Sequence, residues 1–594
     1  GARLNREKPK AMLPTLARLF RFIGKSRIVL IVILTLTVIH TLLEVYGPKL
    51  QQMAIDAFKI VGDKLTVDSA VLTQSLILLV SFNLAAAILS LITARLGARL
   101  AQKTVYLMRR ELFEKITALP ISYTDSHKHG DIMSRMTNDV EQVSTAVSQS
   151  LTTLISAVLT IIGSLIMMFR YSWIMTLVSF ATIPLTVWTS SMLGKFMRKY
   201  YVKNQVLLGK MNGRVEESVT GYRTVVAYGK EASEIEKFGD ISSEYRQSSV
   251  KARVWGSLMG PVMNFIGNFQ YVLIAATGGY LFLSGRLASV GAIQAMLQYS
   301  KQFSRPINMI ANQYASILTA LAGAERLFEM LDSENEKDEG TSPVKPEDIR
   351  GNIEFDSIDF GYIKSKPVLK SLSLSVSAGQ KIAIVGATGS GKTTIVNLLT
   401  RFYELDGGKI TIDGTDITDM PMETLRNAIA IVLQDTVLFS DTIKRNIKYG
   451  NPDADDEAVA RAAATANAAG FIERLPDGYD TMLTESGSNL SQGQRQLLAI
   501  ARAVLADPRI LILDEATSSV DTRTEMHIQQ AMVALMKNRT SLIIAHRLST
   551  IRDADKIVVL KDGTIAEAGS HEELLAARGE YYELYRNQFA GVST

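Results

Sequence analysis

No cysteine occurs in the 594 residues, which excludes disulfides, thiolate metal sites and cysteine nucleophiles together. Its absence fits a reducing compartment, a lineage sparing of cysteine, or a chain engineered to lack it. A large charge excess is also missing. The net charge is +5, too small for this length to indicate a nucleic-acid binder, whose basic residues concentrate along one face. Residues 1–10 are polar and basic and lack an apolar core before a small-residue cleavage site, so no cleaved signal peptide is expected. The chain starts at Gly1 rather than Met, as a trimmed chain would. Hydrophobic residues make up 47% and charged ones 21%, with a mean hydropathy of +0.13. Such an average hides two populations, and the length exceeds one compact core.

What is present begins with apolar stretches long enough to cross a hydrocarbon core of about 30 Å. They lie at residues 28–46, 70–92, 147–169, 174–193, 258–283 and 290–318, the last interrupted by Lys301, Arg305 and Pro306. Six in series predict a membrane bundle. Basic residues fix its orientation, because cytoplasmic flanks retain positive charge. Arg18, Arg21, Lys25 and Arg27 precede the first stretch, Arg95 to Lys115 follow the second, and Lys195 to Arg214 follow the fourth. The two long inner connections keep a helical apolar period, as in Leu107, Leu112, Ile116 and Leu119. They read as membrane helices continuing into the cytosol, with turns near 122–130 and 220–229.

Acidic groups are few in the stretches themselves. Glu44 and His40 share one helix face in the first, and either mark a pathway or reach water near the interface. Lys301 and Arg305 either line a cavity or snorkel. Met167, Met168, Met259, Met263 and Met309 suit an adaptable apolar cavity or plain helix packing.

Past Leu331 the text turns acidic and polar, with Pro343 and Pro346, before strand-like sequence begins at Ile353. The expected organisation is a membrane domain over 1–330, a linker over 331–350 and a second domain over 351–594. There a strand runs into Gly386-Ala387-Thr388-Gly389-Ser390-Gly391-Lys392-Thr393-Thr394 and then an apolar helix. This is the phosphate-binding loop with both required flanks. Glycines let backbone N–H groups converge on phosphate oxygens, and the helix adds its positive end. Lys392 is placed to neutralise the β and γ phosphates and Thr393 to offer its hydroxyl to Mg²⁺. A second apolar run, 510–513, ends in Asp514 and Glu515. In a parallel sheet both carboxylates reach the edge where ligands bind, Asp514 to hold Mg²⁺ and Glu515 to polarise the attacking water.

Together with Asn489-Leu490-Ser491-Gln492-Gly493-Gln494-Arg495-Gln496, these residues resemble the ATP-binding cassette exporter half-transporters, and the resemblance covers the whole chain. It implies a membrane α-helical bundle of six long helices fused to an α/β P-loop NTPase domain, in the cell inner membrane with the nucleotide domain cytoplasmic. Its cofactors would be ATP and Mg²⁺, and its partners a second half-transporter, membrane lipids and a hydrophobic small molecule. By the same resemblance Tyr362 stacks on adenine, Gly386, Thr388, Gly389, Ser390, Gly391, Lys392, Thr393 and Thr394 surround the phosphates, and Thr393, Gln434 and Asp514 hold Mg²⁺. Ser491, Gly493 and Gln494 close over the nucleotide of the opposite subunit, and Asp521 ends a loop that crosses the dimer. Glu515, His546 and Gln434 carry catalysis. The inner turns become coupling helices docking on nucleotide domains, and Thr484-Glu485-Ser486-Gly487 communicates with them.

One position departs from the family: Gln492 stands where glycine usually follows the signature serine, putting a side chain where backbone approaches phosphate. Since each site combines one subunit's phosphate loop with the other's signature, this chain is expected to be the catalytically competent half of a heterodimer, exporting a hydrophobic or amphipathic substrate. A homodimeric lipid or drug flippase, or a siderophore importer with an exporter fold, are the alternatives.

Overall fold

A computed structural model describes residues 12–61, 64–434, 436–514, 522–544 and 551–589. The chain divides into two compact units, one of residues 1–117 and 128–333, the other of 118–127 and 334–594.

The first unit is helical, because a bilayer leaves backbone polar groups no partner outside their own segment. After α1 (Met12–Ile23) come α2 (Arg27–Asp56), α3 (Ser69–Ala118), α4 (Leu151–Tyr171), α5 (Trp173–Thr220), α6 (Glu231–Leu283) and α7 (Val290–Asp332). Among the described residues five helices, α2 to α6, are long and apolar enough to cross a membrane. The sixth, α7, is 43 residues long and carries the polar interruption seen in the sequence. The most apolar window of α3 has a mean hydropathy of 2.4, yet none of it is buried. Water would not tolerate that surface, and lipid suits it. α5 runs along α6, while α7 packs on α4 and α2. Their shared core is built from Val45, Met168, Met175, Ile274, Met296 and Tyr299. Met168 thus serves packing, as does Met263, whose sulfur accepts the Ser190 hydroxyl at 3.6 Å.

Two features go beyond the sequence reading. The first helix continues past 46 and through Pro48 to Asp56, and a hairpin of β1 (Phe58–Val61) and β2 (Lys64–Val67) follows. Pro48 lacks an N–H and so deprives the Glu44 carbonyl of its helical donor. The Gln302 side chain on α7 donates to that carbonyl at 3.3 Å, which lets the helix persist. The inner turns are short helices, Ile121–Ser126 and Tyr222–Ala227.

The second unit is α/β. Its main sheet has the order β12-β11-β5-β10-β9-β8, comprising β8 (Ile429–Val432), β9 (Ile510–Asp514), β10 (Thr540–Ile544), β5 (Lys381–Gly386), β11 (Lys556–Lys561) and β12 (Thr564–Gly569). All neighbours pair in parallel except β11 with β12. A parallel sheet is covered on both faces, and the period of two divides its residues accordingly. Ala383, Leu511, Leu513 and Ile543 enter one core, and Ile382, Ile384, Ile512 and Leu542 the other. A second, antiparallel sheet of β3 (Ile353–Phe360), β4 (Leu369–Val376), β6 (Gly407–Ile412) and β7 (Thr415–Asp416) closes the latter core.

The β6–β7 hairpin turns on Asp413 and Gly414, with φ of 49° and 81°, as a two-residue turn of this hand requires. The Asp413 carboxylate accepts N–H bonds from Arg350, Gly351 and Asn352 at 2.7, 3.1 and 3.0 Å. Burial pushes this carboxyl up, but the backbone donors outweigh it and hold it below the usual carboxylate range. A depressed folded pKa gives stability that is present above the unfolded value, about 3.9, and is lost as pH falls through the folded one. Asp413→Asn should therefore destabilise this unit at neutral pH, by less than about 1 kcal/mol because the exposed carboxylate is screened by solvent. The gap to wild type in thermal unfolding should narrow as pH falls below about 4 and vanish only below the depressed folded pKa.

Candidate active site

The carboxyl ends of the parallel strands share one edge, and β5 leads from it into the loop 387–391 and the helix α8 (Lys392–Leu399). Gly391 caps α8 at φ 105°, and a Cβ there would meet Leu369 Cδ2 at 2.6 Å, so only glycine fits. Gly389, at φ 85°, has nothing within 4 Å of a Cβ and leaves the mouth of the loop open. Thr388 and Thr393 are exposed at that mouth, while Ser390 and Thr394 are buried.

Lys392 is 8% exposed. Its ammonium donates to the Gly386 and Ala387 carbonyls at 2.8 and 3.0 Å, bridging its own loop. Burial holds it below the usual lysine range, against the opposing pull of the Asp514 carboxylate at the end of β9. Among the described residues the buried Ser390 hydroxyl has no hydrogen-bond partner. A buried polar atom without a partner is costly. An anion entering the loop would relieve it and draw Lys392 off its carbonyls. The residues present therefore fit a phosphate chain, and Thr393 and Asp514 are the oxygen donors that suit Mg²⁺.

Tyr362 is 47% exposed. Its hydroxyl lies 3.3 Å from Thr394 Oγ1 and accepts from Asn397 Nδ2 at 3.1 Å, tying it to α8. Phe360 and Tyr403 meet its ring edge-on, each with centroids 5.0 Å away. That geometry steadies the ring, and an aromatic so held is a platform for a planar base. Tyr403 was not legible as a site residue. Its hydroxyl donates to Asp125 Oδ2 at 2.5 Å, so the helix Ile121–Ser126 reaches the platform through one ring contact. Burial, then the Asp125 carboxylate, push this phenol above its ordinary range.

The signature residues form a second group. Ser491 is the N-cap of α9 (Gln492–Ala506) in a reciprocal capping box: its hydroxyl accepts from Gln494 N–H, and Gln494 Oε1 accepts from Ser491 N–H at 2.9 Å. Gln492 is the first helical residue and is not among the residues of positive φ, so the glycine of the family pattern is not needed here for backbone reasons. It lines a pocket of about 180 Å³ with Gln434, Thr436, Ser486 and Arg495. Asn489 pins the preceding segment, accepting from Thr484 N–H at 3.2 Å and donating to Met482 O at 3.1 Å. Among the described residues no hydrogen bond joins this group to the phosphate loop. Glu515, the 518–521 loop with Asp521, and His546 lie outside the described residues.

Two further residues escaped the sequence reading. Arg502, on α9, donates to the Asn446 and Val437 carbonyls at 3.0 and 3.2 Å, and its guanidinium lies 5.2 Å from the Tyr449 ring centroid. Asn446, 2% exposed, exchanges hydrogen bonds with the Phe439 backbone at 2.9 Å in both directions. Together they fasten the segment after Gln434 to the signature helix.

Comparison with known proteins agrees with this division. Residues 30–307 match the ABC transporter transmembrane region and residues 369–518 the ABC transporter family. An uncharacterized ABC transporter ATP-binding protein of Bacillus subtilis (strain 168), YfiC, is 44% identical over 98% of this chain and 96% of its own length. A fatty acid ABC transporter ATP-binding/permease protein of Mycobacterium tuberculosis (strain CDC 1551 / Oshkosh) is 41% identical over 88% of this chain and 82% of its own. The structure of a bacterial Atm1-family ABC exporter with ATP bound superposes with a TM-score of 0.74 at 30% identity, over 96% of this chain and all of that one. Lys392→Ala should remove a charge pair worth at least about 2 kcal/mol and raise the Kd for Mg-ATP about 30-fold or more, measured by calorimetric titration.

Proposed function

The chain belongs to the ABC transporter family, as an exporter half with membrane and nucleotide-binding parts on one polypeptide, and from that premise we propose how its residues drive transport. It is embedded in a membrane and it is an ATPase, and exporters of this type work as dimers. The observation that carries the residue-level reading is the phosphate loop itself, with Lys392 folded onto its own carbonyls beside the buried, unpartnered Ser390 hydroxyl. In the proposed cycle Lys392, Ser390, Thr394 and the backbone of Gly386 to Gly391 bind the triphosphate, and Tyr362 stacks on the adenine. Ser491 and Gly493 of the opposite subunit, with Gln494 bracing their helix start, close over the γ phosphate. Thr393, Asp514 and Gln434 would hold Mg²⁺, which screens the phosphate charge. Glu515 orients the attacking water, His546 contacts the γ phosphate, and Asp521 lies at the dimer crossing. ATP binding favours the closed dimer because the sandwiched nucleotide has contacts there that the open state lacks. The turns at Ile121–Ser126 and Tyr222–Ala227 pass that closure to the helices, and the cavity exchanges its inner opening for an outer one.

The proposed organisation is a membrane domain over 1–330, a linker over 331–350 and a nucleotide-binding domain over 351–594. Its proposed location is the bacterial inner membrane, and its proposed cargo hydrophobic or amphipathic. Of the two assemblies, the heterodimer draws support from Gln492 alone. The homodimer has its own support in the intact capping box, which leaves the Ser491 end of the signature helix in order despite Gln492.

Glu515→Gln should abolish steady-state hydrolysis while ATP binding persists and the closed dimer accumulates. Undiminished phosphate release from that variant would remove Glu515 from its assigned role. To separate the assemblies, the purified chain is reconstituted alone in vesicles. Substrate export with ATP turnover there establishes the homodimer, whereas turnover that appears only when a second half-transporter is added establishes the heterodimer.

A further inference from the structure

The membrane unit holds a cavity of about 650 Å³ between α2, α3, α4 and α7, and its lining mixes polar and apolar side chains. Thr37, Ser90, Thr153 and Ser156 contribute hydroxyls, and Gln149 and Gln302 amides. The Thr37 hydroxyl donates to the Ile33 carbonyl at 2.8 Å and the Ser156 hydroxyl lies 3.0 Å from Thr41 Oγ1, so the mixed lining suits an amphiphile better than a wholly apolar cargo.

Among the described residues two of the polar groups carry an oxygen without a partner. Gln302 spends its Nε2 on the Glu44 carbonyl that Pro48 orphans, and its Oε1 is buried without a donor. The Thr93 hydroxyl is buried and unpartnered in the same wall. An oxygen acceptor left in this state calls for a ligand that donates hydrogen bonds.

The charges are divided in an equally informative way. On α2 the Glu44 carboxylate has His40 Nδ1 3.9 Å away. Across the cavity Arg305 makes no ion pair or side-chain hydrogen bond among the described residues. It lies 15 residues from Val290 and 13 from residue 318, near the middle of that stretch. A cation within a membrane-spanning stretch is costly without a counter-charge, and the cavity is where one can come from. Lys301, one turn away, sits 5.8 Å from the centroid of Tyr271 instead.

We propose that this cavity receives the headgroup of an amphiphile, and that the headgroup is anionic and carries hydroxyls. Arg305 is its counter-ion, and Gln302 and Thr93 take its hydroxyl hydrogen bonds. The apolar tail is left to the lipid-facing surfaces beside it. This rests on the exporter reading above and narrows its cargo.

The test uses the full chain in its active dimeric form in lipid nanodiscs, with ATP turnover followed against three probes of matched chain length: lysophosphatidylglycerol, lysophosphatidylcholine and an alkyl maltoside. Lysophosphatidylglycerol should give half-maximal stimulation at a concentration at least tenfold below the other two. Arg305→Gln should erase that preference, Arg305→Lys should retain part of it, and Thr93→Val should weaken the anionic probe severalfold. The response to the maltoside reports that each variant is folded. Equal responses to the three headgroups, or a preference that survives Arg305→Gln, would overturn the proposal while leaving the exporter reading intact. Absence of any ATP turnover in the wild-type dimer would overturn both.

Discussion

The nucleotide unit depends on the parallel pairing of β5 with β10 and of β10 with β9. That register brings Gly386, Ile544 and Asp514 to one edge, so that the phosphate loop and a carboxylate 128 positions away in the chain, by the difference of 514 and 386, share one end of the sheet. Parallel strands need long crossovers, and the crossover from β8 to β9 supplies α9. The sheet is held by apolar residues alternating onto two cores, and the chemistry is confined to the ends of its strands.

Around that edge two linkages give the chain something to move. One runs from Asp125 through the Tyr403 hydroxyl to the Tyr362 platform and on to α8. The other runs from the segment after Gln434 through Asn446 and Arg502 into α9. The Arg502–Asn446 contact is half-buried and strengthened because little water competes for it, whereas the Tyr403–Asp125 contact is exposed.

Much of this was legible locally. The glycine loop and the Asp514 end of β9 are each encoded in a few adjacent residues, and the structure has a strand before each. The membrane stretches were legible because bilayer thickness dictates their length. What was not legible depends on distant partners. Tyr403 and Asp125 are 278 residues apart, and no local pattern announces a contact of that kind. The continuation of α2 through Pro48 depends on a glutamine from α7. At Gln492 the sequence does not reveal the backbone conformation, which is that of a first helical residue outside the positive-φ set. The methionines left packing and cavity open, and burial decided for packing at Met168.

The central claim is that the catalytic site is complete only when two halves meet. It is tested most directly by separating the detergent-solubilised protein by size, determining particle mass by light scattering, and assaying ATP hydrolysis in each fraction. Turnover confined to particles that contain two nucleotide-binding domains is the predicted result. Hydrolysis by the monomeric fraction at an undiminished rate per chain would contradict it.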